Sequence, residues 1–155
     1  MAGRIDARLS ELGITLPQPA KPVANYVPVV IAGPIAYVSG QVSISPNGRA
    51  IKGKVGAEVS VDEAVEAARI CALNIIAQLR DALGGNLDRV RHCLKLTGYV
   101  NAVPDFEQQP KVINGASDLM VQIFGDSGRH ARAALGAGSL PLNVAVEVDA
   151  IFEIA

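Results

Sequence analysis

Histidine and cysteine each occur twice in the 155 residues, and tryptophan does not occur. The two histidines, His92 and His130, stand far apart, and no H-x-E, H-E-x-x-H or mixed Cys/His cluster accompanies them. That leaves too few ligands for a metal site, and none is expected. Cys71 and Cys93 form no C-x-x-C pair, so they read as reduced thiols of a cytosolic protein. Charge of one sign is also missing. Fourteen Lys and Arg nearly cancel fifteen Asp and Glu, for a formal net charge of −1. Such a chain has no electrostatic footprint for nucleic acid or for an anionic membrane. No apolar run approaches membrane-spanning length. The opening MAGRIDARLSELGI carries Asp6 and Glu11 and lacks an apolar h-region, so it is not read as a signal peptide. The Gly-rich stretch KGKVG at 52–56 lacks Walker spacing and reads as a solvated loop. Gly136-Ala137-Gly138 is a lone G-x-G, read as a turn. No repeat of the solenoid kind is found.

What is present is a globular composition, 50% hydrophobic and 19% charged. The length suits one domain over 1–155 with its own core. Residues 1–23 form a lead segment. Arg4 to Leu12 has Ile5, Leu9 and Leu12 at helical spacing and ends at Gly13; Leu16 to Val23 holds three prolines and reads as extended linker. The expected place for this helix is the outside of the domain. The core is expected over 24–155.

Tyr26 to Ile31 and Ile35 to Gln41 read as strands joined at Gly33-Pro34, and Ser45-Pro46-Asn47-Gly48 as a further turn. Ser60 to Leu83 is the clearest helix. Ser60 and Glu63 form a capping box, an apolar stripe runs from Val61 to Leu83, and Gly84-Gly85 stops it. Cys71 inside it reads as a buried structural thiol. Leu87 to Val103 alternates as a strand, with Val90, His92, Leu94 and Leu96 on one side. A second helix starts at Glu107 or Pro110, capped by Asp105, and runs to about Phe124, where GDSG closes it.

The last stretch, 128–155, reads as two strands joined by a short Gly/Ser/Pro turn. In the second, Val144, Val146, Val148, Ala150, Phe152 and Ile154 share one face. The first sets a single charge, Arg132, among Ala131, Ala133, Ala134 and Leu135. A guanidinium there must be solvated, paired or held for an anionic ligand. Glu147 is the carboxylate expected to share its site. Strand-strand-helix-strand followed by helix-strand-strand implies an α+β fold, an open sheet with both helices on one face. The other face, with few aromatics, suits sheet-on-sheet contact between subunits.

Arg132, then Pro141 nine residues on, then Glu147 six further, carried by Ala-Arg, Leu-Pro and Val-Glu-Val-Asp-Ala-Ile, resembles the RidA/YjgF family, also called the endoribonuclease L-PSP or translation-inhibitor family. Tyr37-Val38-Ser39-Gly40-Gln41 is similar to the family's S-G-Q strand end, and Asn25-Tyr26-Val27 to its first strand. The resemblance runs from about Ala24 to the end. It implies a chorismate-mutase-like fold with a mostly antiparallel mixed sheet, and a homotrimer with ligand clefts between subunits. It further implies a cofactor-independent deaminase that hydrolyses small 2-imino or 2-enamino acids to 2-keto acids and ammonia. Arg132 would bind the carboxylate and Glu147 would assist the water. Tyr26, Ser39, Gly40, Asn114 and Ala134 would line the pocket. Many members carry Ser or Thr directly after the arginine and a Cys or other polar residue next; here Ala133 and Ala134 stand there.

Other readings stay open. Arg132 could pair structurally with Glu147 or Asp149 at a subunit interface, and Glu147 could be only a charge on a polar strand face. The same trimer could bind a small carboxylate without chemistry, a reading that the two alanines favour. A ribonuclease or translation inhibitor is disfavoured by the absence of a basic stripe and of stacking aromatics.

Overall fold

The computed structural model describes residues 3–22 and 24–155. The lead-segment expectations for Met1, Ala2 and Val23 lie outside the described residues. In chain order the elements are helix α1 (Arg4–Glu11), strands β1 (Val29–Ala32) and β2 (Ile35–Val42), helix α2 (Val61–Ala82), strand β3 (Val90–Asn101), helix α3 (Gln109–Phe124), and strands β4 (Ala131–Ala137) and β5 (Val146–Ile154). The strands form one sheet in the order β1-β2-β5-β3-β4. All neighbours are antiparallel except β3 and β4, which α3 connects in parallel. Helices α2 and α3 pack together over one face. This is the expected α+β architecture.

Local chemistry explains the elements. The Ser60 hydroxyl accepts from the Glu63 N–H at 3.1 Å, and the Ser60 N–H donates to the Glu63 carboxylate at 3.3 Å, which starts α2. On β5, Val146, Val148, Ala150, Phe152 and Ile154 are buried, and Glu147, Asp149, Ile151 and Glu153 face the other way, half-buried. Asp88 accepts from the N–H groups of Arg4 and Ile5 at 2.9 and 2.8 Å. It caps α1 from outside the helix, and Ile5 and Leu9 are buried beneath. Those two bonds hold the Asp88 carboxyl below its ordinary range.

Several expectations are corrected. Strand β1 begins at Val29, so Tyr26 sits in a bend before it. Leu87–Arg89 is a 3-10 turn, and β3 starts at Val90. Register shifts between Val90 and His92 and between Cys93 and Lys95 reset the alternation, so Cys93 is buried while His92 and Leu94 are half-buried. Asp105 does not cap α3, which begins without a side-chain cap and carries Pro110 in its first turn. The last two strands form no hairpin. Strand β5 lies between β2 and β3, while β4 is the far edge. Gly136 and Ala137 continue β4 and form no turn. The loop at 52–56 is anchored: Lys54 Nζ donates to Asn101 Oδ1 at 2.8 Å and to the Gly138 carbonyl. Both cysteines are free and buried, Cys71 as expected and Cys93 through the shifted register. Burial pushes the Cys71 thiol well up and the Cys93 thiol to about 12, so neither is a thiolate at neutral pH.

Candidate functional site

Arg132 lies in register with Leu96, which is buried beneath the helices. Paired residues in a sheet point the same way, so the guanidinium projects on the helix side, at the edge beside α3. Its Nη1 donates to Asn114 Oδ1 at 2.8 Å and to Ser117 Oγ at 3.2 Å. Asn114 and Ser117 are three residues apart and therefore share a face of α3. His130 completes the cluster, with Nε2 2.8 Å from Ser117 Oγ and Nδ1 2.6 Å from the Gly128 carbonyl. Among the described residues no carboxylate forms an ion pair with Arg132. The hydrogen-bond partners of this positive charge are thus neutral, beside an open depression of about 290 Å³ that Asp118 and Arg129 also line. Ala134 follows on the same face, partly buried against the core. Ala133 lies in register with Thr97 and faces the open side.

Glu147 belongs to a different surface. It alternates with buried Val146 and Val148, so it points to the open face of the sheet. Opposite it, β2 is irregular. Val38 pairs with Ala150 and Gln41 with Val148, so Ser39 and Gly40 together face Asp149. This is a β-bulge, a device that re-aims side chains beside sites. The absent side chain at Gly40 leaves the space that the Glu147 carboxylate occupies, and a Cβ there would push that carboxylate aside. Tyr26, Pro28, Ser39, Gly40, Leu142 and Glu147 line a cleft of about 380 Å³. Burial raises the Glu147 pKa above its ordinary value, and the nearby Asp149 charge adds to this. Asp149 is raised too, chiefly by burial, and accepts from the Tyr99 hydroxyl at 3.4 Å.

Within one chain these two groups do not meet. Arg132 and Glu147 point to opposite faces, on strands separated by β3. Arg132, Asn114 and Ala134 form one half; Tyr26, Ser39, Gly40 and Glu147 form the other. Neither half contains a metal arrangement, since no group of three or more His, Cys, Asp or Glu side chains among the described residues is placed to hold an ion. Among those residues no helix is long and apolar enough to cross a membrane.

Residues 6–154 match the family described as "YjgF/chorismate_mutase-like, putative endoribonuclease". The chain belongs to the YjgF family. A crystal structure of a protein of unknown function from Agrobacterium tumefaciens is 50% identical to this YjgF chain. It covers 97% of this chain and 92% of its own, with a TM-score of 0.90. A "putative endoribonuclease" from Shewanella oneidensis is 35% identical, covers 98% and 100%, and has a TM-score of 0.93. Protein TCP17 of Trypanosoma cruzi is 47% identical over 154 residues, 99% of this chain and 96% of that one. The α+β architecture is therefore the YjgF fold, and α1 lies within the span that these relatives share.

Sequence reasoning missed three parts of this YjgF surface. Ser117 and His130 lie thirteen residues apart across a helix end, and no motif joins them. Leu142 and Asn143 adopt left-handed backbone, φ 58° and 57°, at the mouth of the Glu147 cleft. The leucine there costs roughly 1–2 kcal/mol, whereas asparagine adopts this backbone more easily. The strain is held by the Gly53 N–H, which donates to the Asn143 carbonyl at 2.8 Å, and by Lys54 on Gly138. A basic residue before Val55 gave no hint of this role.

Proposed function

We propose that this protein is a cofactor-independent deaminase. It hydrolyses small 2-imino or 2-enamino acids to 2-keto acids and ammonia, in clefts between the subunits of a cytoplasmic homotrimer. The observation that carries this is the uncompensated charge of Arg132, flanked by the neutral groups of Asn114 and Ser117. A planar guanidinium takes a carboxylate bidentately and remains charged at any working pH. The separate Glu147 half supports the rest. Val30, Tyr37 and Leu135 are exposed on the open face of the sheet and offer apolar surface to another copy. Packing one copy's Arg132 half against the next copy's Glu147 half would complete the cleft.

The chemistry then follows from the two charges. Arg132 holds the substrate carboxylate and so fixes the C=N carbon in the cleft. Glu147 takes a proton from water as the oxygen bonds to that carbon and returns it to the nitrogen, which gives a neutral carbinolamine. The carboxylate then takes the carbinolamine hydroxyl proton and passes it to the nitrogen as C=O forms and the C–N bond breaks, so ammonia leaves with the keto acid. A carboxyl raised toward neutral pH by burial suits both transfers. A non-catalytic carboxylate binder is the second reading, favoured by Ala134, which brings no hydroxyl or thiol to the face that carries Arg132. The endoribonuclease named for relatives finds little support in a net charge of −1.

A coupled assay tests the proposal. A serine or threonine dehydratase generates the imine in situ, semicarbazide competes for it, and keto-acid release is followed with wild type and Arg132→Ala. Acceleration by wild type alone is expected. Binding of 2-oxobutyrate without acceleration of any imine's hydrolysis would select the binding module.

A further inference from the structure

The partners of His130 decide its tautomer. The Gly128 carbonyl can only accept, so Nδ1 carries the proton there. Neutral Nε2 is then an acceptor, and the Ser117 hydroxyl donates to it at 2.8 Å. Having spent its only proton on the ring, Ser117 Oγ turns its lone pairs outward. Arg132 Nη1 donates to that oxygen. The result is a directed chain from Arg132 through Ser117 and His130 to the Gly128 backbone, with each donor matched to one acceptor. The end of the chain is fixed by packing. Gly128 lies against the Met120 carbonyl so closely that a side chain would collide with it.

We propose that His130 and Ser117 are positioning residues for Arg132, and that this relay makes carboxylate capture at Arg132 depend on pH. The inference rests on the reading of Arg132 as the carboxylate site. With neutral His130 the serine is locked as an acceptor for the guanidinium. Protonation puts a second N–H on Nε2. Ser117 must then accept from both neighbours, and its own O–H is released toward the depression. A second positive charge also stands beside the incoming anion. Both changes favour the carboxylate. By linkage, the bound anion raises the His130 pKa, and affinity rises as pH falls through the titration of the ring. The groups facing His130 are Arg132 and Arg129 on its own segment, Asp118 on α3 and His92 on β3. Asp126 is engaged with Arg129 at 3.4 Å, and His92 Nε2 with the Arg129 carbonyl at 2.6 Å. Burial first, then the Arg132 and His92 charges, hold the ring below its ordinary value against the raising effect of the Gly128 carbonyl. The resting state at neutral pH is therefore the locked one.

Two measurements on the full chain test this. Long-range ¹⁵N correlation spectra at pH 7.5 should show His130 as the Nδ1–H tautomer; an Nε2–H tautomer would overturn the relay. Titration calorimetry with 2-oxobutyrate, which stays ionised throughout, should show Kd falling roughly three- to tenfold from pH 7.5 to 5.5. His130→Gln should flatten that dependence while Glu147→Gln retains most of it. Equal slopes in wild type and His130→Gln, or loss of the slope in Glu147→Gln alone, would overturn the proposal. Ser117→Ala should weaken binding about threefold or more at pH 7.5; unchanged affinity would remove Ser117 from the relay. The failure of the underlying reading looks different: Arg132→Ala would bind 2-oxobutyrate as well as wild type, whatever the tautomer.

Discussion

The Arg132 half and the Glu147 half solve opposite electrostatic problems. At Arg132 a permanent charge sits at an exposed sheet edge and is steered by neutral hydrogen-bond partners, so it keeps its pull on an anion. At Glu147 a carboxylate is half-buried in the open face, beside a second carboxylate, with backbone moulded around it by a bulge and a glycine. The first half stays charged. In the second, burial makes the carboxylate easier to protonate. A hydrolysis that must hold one carboxylate and move protons needs both, and one chain presents them on opposite sides of its sheet.

The largest effects should come from deleting either half. If Glu147 carries the proton as proposed, Glu147→Gln removes that carrier and keeps the shape, so kcat should fall roughly 10²- to 10⁴-fold with little change in KM. On the proposed reading, Arg132→Ala removes two charge-assisted bonds to the substrate carboxylate. At about 1.5–2 kcal/mol each, kcat/KM should fall roughly 10²- to 10³-fold. Light scattering should report an unchanged assembly in both; dissociation of Arg132→Ala alone would favour a structural ion pair at the interface.

Mixing the two dead variants sharpens the comparison further. If each cleft takes Arg132 from one copy and Glu147 from the next, subunits exchanged at equal ratio regenerate about one intact cleft in four. Steady-state assays of the exchanged mixture should then recover about a quarter of wild-type activity. No recovery after exchange verified by native mass spectrometry would mean that both groups serve from one chain.

How much of this could be read from the sequence follows from which forces are local. The capping box at Ser60 and the alternation of β5 act between near neighbours, and both are present in the structure. The spacing of Arg132, Pro141 and Glu147 identified the family. It could not show that the two charges point to opposite faces, because that depends on β5 inserting between β2 and β3. The phase error at His92 and Leu94 came from bulges, which no strand pattern announces. Asp105 looked like a cap by type alone, but the helix begins four residues later. Ser117 and His130 are joined only by the fold at the end of α3.

A moderate effect separates the halves by stability. The raised pKa of Glu147 means that its carboxylate is more easily protonated in the folded chain than in the unfolded one. Its stabilising effect is thus present at low pH and lost as pH rises through the folded pKa. Glu147→Gln should therefore melt higher than wild type above about pH 5 and match it near pH 4. Calorimetric scans across that range check the sign. A lower Tm for the variant at pH 8 would show that the carboxylate is held by favourable contacts and not merely buried. A higher Tm together with lost turnover would mark a group kept for chemistry at the expense of the fold.

The smallest effect concerns the strained loop beside Glu147. Lys54 Nζ gathers Asn101 Oδ1 and the Ala102 and Gly138 carbonyls, and so ties the ends of β3 and β4 where the chain turns toward Leu142. Asn101 is itself buried and donates to the Val144 carbonyl at 3.1 Å. Lys54→Met keeps the apolar stem and removes the ammonium, leaving carbonyl groups to find water. The cost should be roughly 1–3 kcal/mol, a Tm loss of several degrees for a domain of this size. Hydrogen exchange gives the sharper test. Protection should fall in residues 138–145, where backbone strain is held from outside, and stay unchanged in α3 beneath Arg132. Uniform loss of protection would make Lys54 a general support of the fold, whereas loss confined to the loop would show that the Glu147 half has its own mechanical anchor.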